Sequence, residues 1–305
     1  DGLIINTTLD SRVQRMLNQH FNKSLDRNQK IFNKELINND TKLNYIATKN
    51  NISSDSLINI VNQDTIIPTK FRNQLLVQGA AVVMDPSSGS ILGMIGGRQE
   101  ESYLDHFNRS SQAKRQPGSV FKPLIYLTAL EKGSQTTTQL LNQPLAIFID
   151  DTTHWNPQNH DGSTGLLTTL REGLKKSLNL ISVRIVQELI RPFDVVKNAK
   201  LFGISTKIKP VDAIALGVSE VIPLEMTSAY SAIANNGIIT TPNAIMNIKD
   251  RHGRIIKNFI PNSKEIKDEN LIYIVRDLMK SVIDSGTGGS IRWKYKFRSP
   301  MAGKT

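Results

Sequence analysis

Gln116-Pro117-Gly118-Ser119-Val120-Phe121-Lys122-Pro123 interrupts the chain and then starts a helix. Pro117-Gly118 is a breaker, and the apolar run that follows carries helical spacing from about Ser119 to Leu130, with Gly133 placed as a C-terminal stop. Ser119 then stands at a helix N-terminus and Lys122 one turn later on the same face. A serine hydroxyl is a poor nucleophile until a base takes its proton. A lysine three residues on can be that base if burial or a second cation lowers its pKa. The helix N-terminus offers backbone N–H groups to a developing oxyanion. Pro123 costs little in a first turn. By itself Ser-x-x-Lys arises by chance about once in a chain of this size, and the spacing alone favours an ordinary capped helix with a solvated lysine.

Working outward, Ala81-Val82-Val83-Met84 and Ser90-Ile91-Leu92-Gly93-Met94-Ile95 flank Asp85-Pro86-Ser87-Ser88-Gly89 and predict a hairpin. Toward the N-terminus, Thr7-Thr8-Leu9-Asp10 reads as extended, and Asp10 or Ser11 caps a helix with Val13, Leu17 and Phe21 on one face. An Asn-rich polar stretch runs on through Asn62 and reads as an appendage rather than a core. Residues 1–77 are therefore expected to be an interdomain linker or appendage, and 78–305 the principal domain. Toward the C-terminus, residues 134–163 are loop-rich, and Thr168–Lys176 and Ile181–Ile190 are helical, with Ser177-Leu178-Asn179 between them. Pro223–Asn236 is a helix with Met226, Ala229, Tyr230 and Ile233 buried. Leu271, Ile274, Val275, Leu278, Met279 and Val282 mark another, capped by Asp268 and closed by Gly286. Few strands, many helices and an early hairpin predict a mixed α/β domain of the α+β type.

Two further polar features could do chemistry. Ser177-Leu178-Asn179 is ordinary turn material, but its hydroxyl could relay a proton and its carboxamide could hold a lysine or a substrate amide. Ala302-Gly303-Lys304-Thr305 invites a phosphate-loop reading, which fails: Arg298 occupies the position of the required glycine, and no apolar strand leads in.

In order, the three features read Ser-x-x-Lys, Ser-x-Asn and Lys-Thr. That set resembles the signature of penicillin-binding proteins and serine β-lactamases. The surroundings sharpen the resemblance. Phe107-Asn108-Arg109, Gln112 through Pro123, Thr168 to Asn179, Ala215-Leu216-Gly217 and Thr227 to Tyr230 resemble the transpeptidase domain of high-molecular-weight class A penicillin-binding proteins, which are bifunctional peptidoglycan synthases. Thr7-Thr8-Leu9-Asp10 is similar to the segment joining their glycosyltransferase and transpeptidase domains. The resemblance is weakest across roughly 22–70. It implies an antiparallel central sheet flanked by helices. It also implies that Ser119 attacks a D-Ala-D-Ala stem peptide or a β-lactam to form an acyl-enzyme, and that its N–H is half of the oxyanion hole. Lys122 is then the general base, and Ser177 passes the proton to the leaving nitrogen. Asn179 contacts the substrate amide and Lys122, and Lys304 and Thr305 bind the terminal carboxylate. No cofactor is implied. An upstream glycosyltransferase domain, a membrane anchor and an extracytoplasmic location come with the family. The glycine and the sheet strands expected after Lys304-Thr305 lie past the last residue, as does the second oxyanion donor. The chain as it stands is thus expected to acylate slowly or not at all, with a sheet edge left open.

Composition narrows the alternatives. The 305 residues carry 38 Lys+Arg against 27 Asp+Glu, a net charge of +11, and no cysteine. Zero cysteine excludes a disulfide framework, a Cys-ligated zinc site and a thiol nucleophile. No apolar run approaches the length of a membrane span. The positive charge alone suggests an anionic partner, but with no block of five or more Lys/Arg and aromatics at only 6% it does not support a dedicated nucleic-acid binder. His154 and His160 have no metal-ligand spacing. A serine β-lactamase is the nearest rival. Leu178 stands where class A lactamases carry Asp, and Glu172 and Glu188 fall within helical patterns as surface charges. A penicillin-sensing domain without turnover would keep the same triplets. Gly286-Thr287-Gly288-Gly289 reads as a helix-terminating loop that the resemblance puts near the substrate cleft. Trp155 to Asn159 reads equally as a cleft wall or a surface loop.

Overall fold

The computed structural model describes residues 2–62, 67–98, 106–148 and 154–305. Of the loop-rich stretch 134–163, residues 149–153 therefore lie outside the described residues. In chain order the elements are β1 (Ile4–Thr7), α1 (Ser11–Ile37), α2 (Asp40–Lys49), α3 (Ser54–Asn62), α4 (Arg72–Leu75), β2 (Ala81–Met84) and β3 (Ile91–Ile95). Then come α5 (Lys122–Glu131), β4 (Gln139–Leu141), β5 (Ile147–Phe148), β6 (His154–Trp155), β7 (Leu167–Thr169), α6 (Leu170–Lys175), α7 (Asn179–Arg184) and α8 (Pro192–Leu201). The last are α9 (Pro223–Ala234), β8 (Ile238–Thr240), β9 (Ile245–Lys249), β10 (Ile255–Asn258), β11 (Ser263–Glu265), α10 (Glu269–Ser285) and α11 (Ser290–Trp293). Contacts divide the chain into two compact units.

The smaller unit holds Leu9–Val83 and Leu92–Gln112. Asp10 caps α1 by accepting from the Arg12 and Val13 N–H groups. The Asn-rich stretch is not core-poor, as its composition suggests. Leu36, Leu43, Ile46, Ala47, Leu57, Val61, Phe71 and Leu75 form a buried cluster. The long α1 gives it only Leu36, and the short segments that follow give one to three apolar residues each, so no single window shows the core. The amides have a structural use. Gln14 brackets Met94, with its Nε2 donating to Met94 O at 3.1 Å and its Oε1 accepting from Met94 N at 2.8 Å. Gln29 does the same between Leu75 O and Val77 N, and Asn33 donates to Val61 O at 2.9 Å. Carboxamides satisfy both backbone donors and acceptors where no ladder or helix does.

The larger unit holds Asp1–Thr8, Met84–Ile91 and Ala113–Thr305. Its centre is α5, where Leu124, Ile125, Tyr126, Leu127 and Ala129 are all buried. A helix apolar on every side belongs inside, and α5 packs against α6, α8 and α10. Gly173 on α6 is required there, because a Cβ would stand 2.5 Å from Ile181 Cγ2 and 2.7 Å from the Tyr126 hydroxyl. Among the described residues the strands of the whole chain form a three-stranded sheet, β1-β9-β10, and four two-stranded ones, one of them the predicted β2–β3 hairpin with Gly89 at φ 70°. The pairings of β1, β10, β11, β4 and β5 with their neighbours are antiparallel. The architecture is the expected mixed α/β one of antiparallel sheets and helices.

Two local expectations need correction. Asn179 does not lie in the turn between helices but opens α7. Along α10, Ile272 is fully buried while Ile274 is 38% exposed. The buried face is Ile272, Val275, Leu278, Met279, Val282 and Ile283, and the regular spacing through Ile274 pointed one residue off. Among the described residues no helix is long and apolar enough to cross a membrane.

Candidate active site

Ser119 lies in a short 3-10 turn, Gly118–Phe121, that runs directly into α5. The turn is braced by a segment far along the chain. Gly118 N–H donates to Gly217 O at 3.2 Å, and Arg115 and Val221 exchange backbone bonds of 3.0 and 2.9 Å. The Tyr230 hydroxyl donates to Val120 O at 2.7 Å. Gly118 and Gly217 have φ of 56° and 65°, and a Cβ on Gly217 would stand 2.3 Å from Gly118 O. Only glycine allows that approach. Ser119 itself is half-buried, and among the described residues neither its Oγ nor its N–H is committed to a hydrogen bond.

Lys122 is the first residue of α5 and is fully buried. Its Nζ donates to Ser177 O at 2.8 Å, to Asn179 Oδ1 at 2.8 Å and to Ser177 Oγ at 3.4 Å. Among the described residues no carboxylate offsets its charge, and its pKa is pushed down to about 7, first by burial and then by the Lys304 ammonium. Lys304 Nζ donates to Ser177 Oγ at 2.8 Å, and burial lowers its own pKa to about 8. The Ser177 hydroxyl therefore sits between two amines that differ in proton affinity.

Backbone strain places that hydroxyl. Ser177 has φ 56°, the left-handed region that non-glycine residues avoid at a cost of roughly 1–2 kcal/mol. The kink ends α6 and starts α7, and it turns both the Ser177 carbonyl and hydroxyl onto Lys122. Asn179 is oriented by its Nδ2, which donates to Gln158 O at 2.8 Å. Asn159 accepts from Leu180 N at 3.0 Å. At least Gln158 and Asn159 of the 155–159 segment thus stand against the site. Thr305 joins through its Oγ1, which bonds the Thr287 hydroxyl at 2.6 Å.

All six residues singled out in the sequence are accounted for. Lys122, Ser177, Asn179 and Lys304 meet through direct hydrogen bonds, Thr305 attaches through Thr287, and Ser119 is tied to Lys122 by the chain itself. The sequence does not single out Thr287, Gln158 or Gly217 by themselves, although the resemblance sets the loop of Thr287 near the cleft and one of two even readings makes residues 155–159 a cleft wall. Their only signals were a glycine cluster, an ambiguous loop and a short resembling motif. Glu172 pairs with Lys175 and Lys176 at 3.0 and 3.3 Å, and Glu188 pairs with Arg184 at 2.7 Å. Each contact lies within a helical turn, as expected for surface charges.

A half-buried serine at the start of a helix, a buried low-pKa lysine and a serine hydroxyl bonded to two amines are the kinds of group an acyl-transfer site uses. Residues 79–305 match the penicillin binding protein transpeptidase domain, and the chain belongs to that family. It is 34% identical over 238 residues to penicillin-binding protein 1A of Neisseria lactamica, an overlap of 75% of this chain and 29% of the relative. With penicillin-binding protein 1A of Rickettsia typhi it shares 33% over 255 residues, covering 75% of this chain and 32% of the relative. The chain thus spans about a third or less of the length of these curated relatives. The crystal structure of penicillin-binding protein 1A from Haemophilus influenzae aligns with a TM-score of 0.70 at 26% identity, over 76% of this chain and 40% of that one. PonA1 from Mycobacterium tuberculosis, solved in complex with penicillin V, aligns at 0.64 and 21% identity over 92% and 64%, a likeness of fold.

Proposed function

We propose that the chain carries a serine D,D-transpeptidase centre that joins peptidoglycan stem peptides through an acyl-enzyme and is acylated by β-lactams. The observation that carries the reading is Lys122: a fully buried amine with a pKa near neutrality, one helical turn after Ser119 and bonded to Ser177. Neutral Lys122 takes the Ser119 proton as Oγ attacks the carbonyl of the penultimate D-Ala. The tetrahedral oxyanion is met by the Ser119 N–H. The proton moves from Lys122 through Ser177 to the departing D-Ala nitrogen, and the C–N bond breaks, leaving a serine ester. An amine of a second stem then attacks the ester. Its proton returns by the same relay to Ser119, and a new amide joins the two stems. Asn179 holds Lys122 and the substrate amide, while Lys304 and Thr305 take the terminal carboxylate.

The same reading places the centre outside the cytoplasmic membrane of a walled bacterium. It takes residues 78–305 as the transpeptidase domain, and 1–77 as the appendage toward a glycosyltransferase domain and a membrane anchor.

The test is intact-protein mass after incubation of the full-length gene product with benzylpenicillin, beside Ser119→Ala. A stable single adduct that Ser119→Ala lacks is expected. A folded protein that forms no adduct would remove Ser119 from the role of nucleophile, and rapid release of hydrolysed drug would make the centre a lactamase.

A further inference from the structure

Trp293-Lys294-Tyr295-Lys296-Phe297-Arg298 alternates aromatic and cationic residues, and the chemistry described so far does not use it. Trp293, Tyr295 and Phe297 are 73%, 62% and 42% exposed. Lys294, Lys296 and Arg298 are exposed as well, and none of the three pairs with a carboxylate among the described residues. The Lys294 ammonium lies over the Tyr295 ring at 5.7 Å, and three large aromatic rings left in water beside cations that no carboxylate neutralises mark a surface that meets something.

The segment is held in shape. Arg292 pairs with Asp284 at 2.8 Å and donates to the carbonyls of Phe297 and Ser299, both at 2.8 Å. The N–H groups of Lys294 and Tyr295 bond Ser290 O at 2.9 and 3.1 Å, and that of Phe297 bonds Ile291 O at 3.1 Å. Lys296 is fixed at φ 53°. A ridge ordered before binding loses less entropy when a ligand arrives. It also adjoins the site. A side chain on Gly289 would reach within 3.8 Å of the Trp293 indole nitrogen, and Thr287, in the same glycine loop, bonds Thr305.

We propose that residues 293–298 form a binding ridge for the anionic glycan–peptide polymer whose stem ends at Lys304. Trp293 and Tyr295 offer flat apolar faces to sugar rings, and Lys294, Lys296 and Arg298 meet stem carboxylates. The inference rests on the transpeptidase reading for the identity of the polymer. Aromatic–cationic surfaces also suit anionic bilayers. The junction with the Thr287–Thr305 contact favours the polymer, because one ligand can then occupy ridge and site together.

The experiment uses the full-length gene product and purified, uncross-linked peptidoglycan strands with free stem carboxylates. Trp293→Ala/Tyr295→Ala and, separately, Lys294→Gln/Arg298→Gln are compared with the unaltered protein. Each pair is expected to weaken strand binding about tenfold, with benzylpenicillin acylation unchanged to within about twofold. Amidated strands should bind the unaltered protein as weakly as free strands bind the Lys294→Gln/Arg298→Gln variant. The second pair touches only exposed side chains, so it serves if the first unfolds. Strand binding unchanged in both pairs overturns the proposal, as does a loss seen only with phosphatidylglycerol vesicles. If benzylpenicillin fails to acylate even the unaltered protein, the Ser119 assignment falls, while strand binding still decides the ridge.

Discussion

The Ser119 turn and the Lys304 tail each bring an amine to the Ser177 hydroxyl, and they are held by different means. The turn is clamped on its backbone: Gly118 against Gly217, Arg115 against Val221, and the Val120 carbonyl under Tyr230. The tail hangs on a 3.3 Å bond from Gly303 N–H to Met279 O and the Thr305–Thr287 hydroxyl contact. Correspondingly, Lys122 is fully buried and Lys304 only partly so. Backbone bonds to a distant segment hold the turn that carries the group assigned to proton transfer, while hydroxyl contacts and one backbone bond hold the group assigned to carboxylate binding. Preorganisation matters most where charge moves.

The contrast can be broken first at the two lysines. Lys122→Met should slow benzylpenicillin acylation by roughly 10²–10⁴-fold, the range for a lost general base. Lys304→Gln should cost about 10–100-fold, the worth of one charged hydrogen bond to a carboxylate. Stopped-flow acylation rates check both, and equal losses would erase the distinction.

Backbone support gives a second comparison. Gly217→Ala combines strain at positive φ with a clash on Gly118 O, and should lower stability by about 1–3 kcal/mol. Gly303→Ala meets only Ile283 Cδ1 at 3.2 Å, and should cost below about 1 kcal/mol. Urea unfolding distinguishes them.

The amines also set a pH response. Acylation needs Lys122 neutral and Lys304 charged, so its rate should rise through about pH 7 and fall above about pH 8. Stability follows the same proton. Unfolded Lys122 holds its proton up to 10.5, whereas the folded residue releases it near 7. The unfolded state thus binds more protons between those values, and the Lys122 contribution to stability rises with pH across that window. Lys122→Met should flatten that rise in melts run at pH 7 and pH 10, and an unchanged slope would contradict the buried-amine account. A small effect is expected at the kink: Ser177→Gly should be more stable than Ser177→Ala by about 1 kcal/mol, because only glycine relieves the left-handed backbone. Differential scanning calorimetry resolves that margin.

What the sequence disclosed followed the reach of each contact. Ser119 and Lys122 are neighbours on one turn, and the α10 helix shows its cap at Asp268 and its stripe within a single window. The hairpin around Asp85–Gly89 is equally local. Ser177, 127 residues from Lys304, could be joined to it only through a resemblance. Thr287 and Gly217 act through partners distant in the chain, and small residues at such places carry no pattern of their own. Asn179 was placed in a turn because Ser and Asn favour turns, yet it begins a helix whose cap position is taken by Leu178. The apolar cluster around Leu57 draws one residue from the end of α1 and the rest from segments of ten residues or fewer, too short for a periodicity to accumulate.

The Tyr230–Val120 bond has a kinetic consequence. Its partners are 110 residues apart in the chain, so the turn that carries Ser119, the proposed nucleophile, closes only after a long loop has been drawn in, a late event in folding. Chains emerging from denaturant would acquire helices well before they acquire reactivity. A β-lactam added at successive refolding times would therefore act as a clock for the last docking step, reading it through the covalent mark on Ser119.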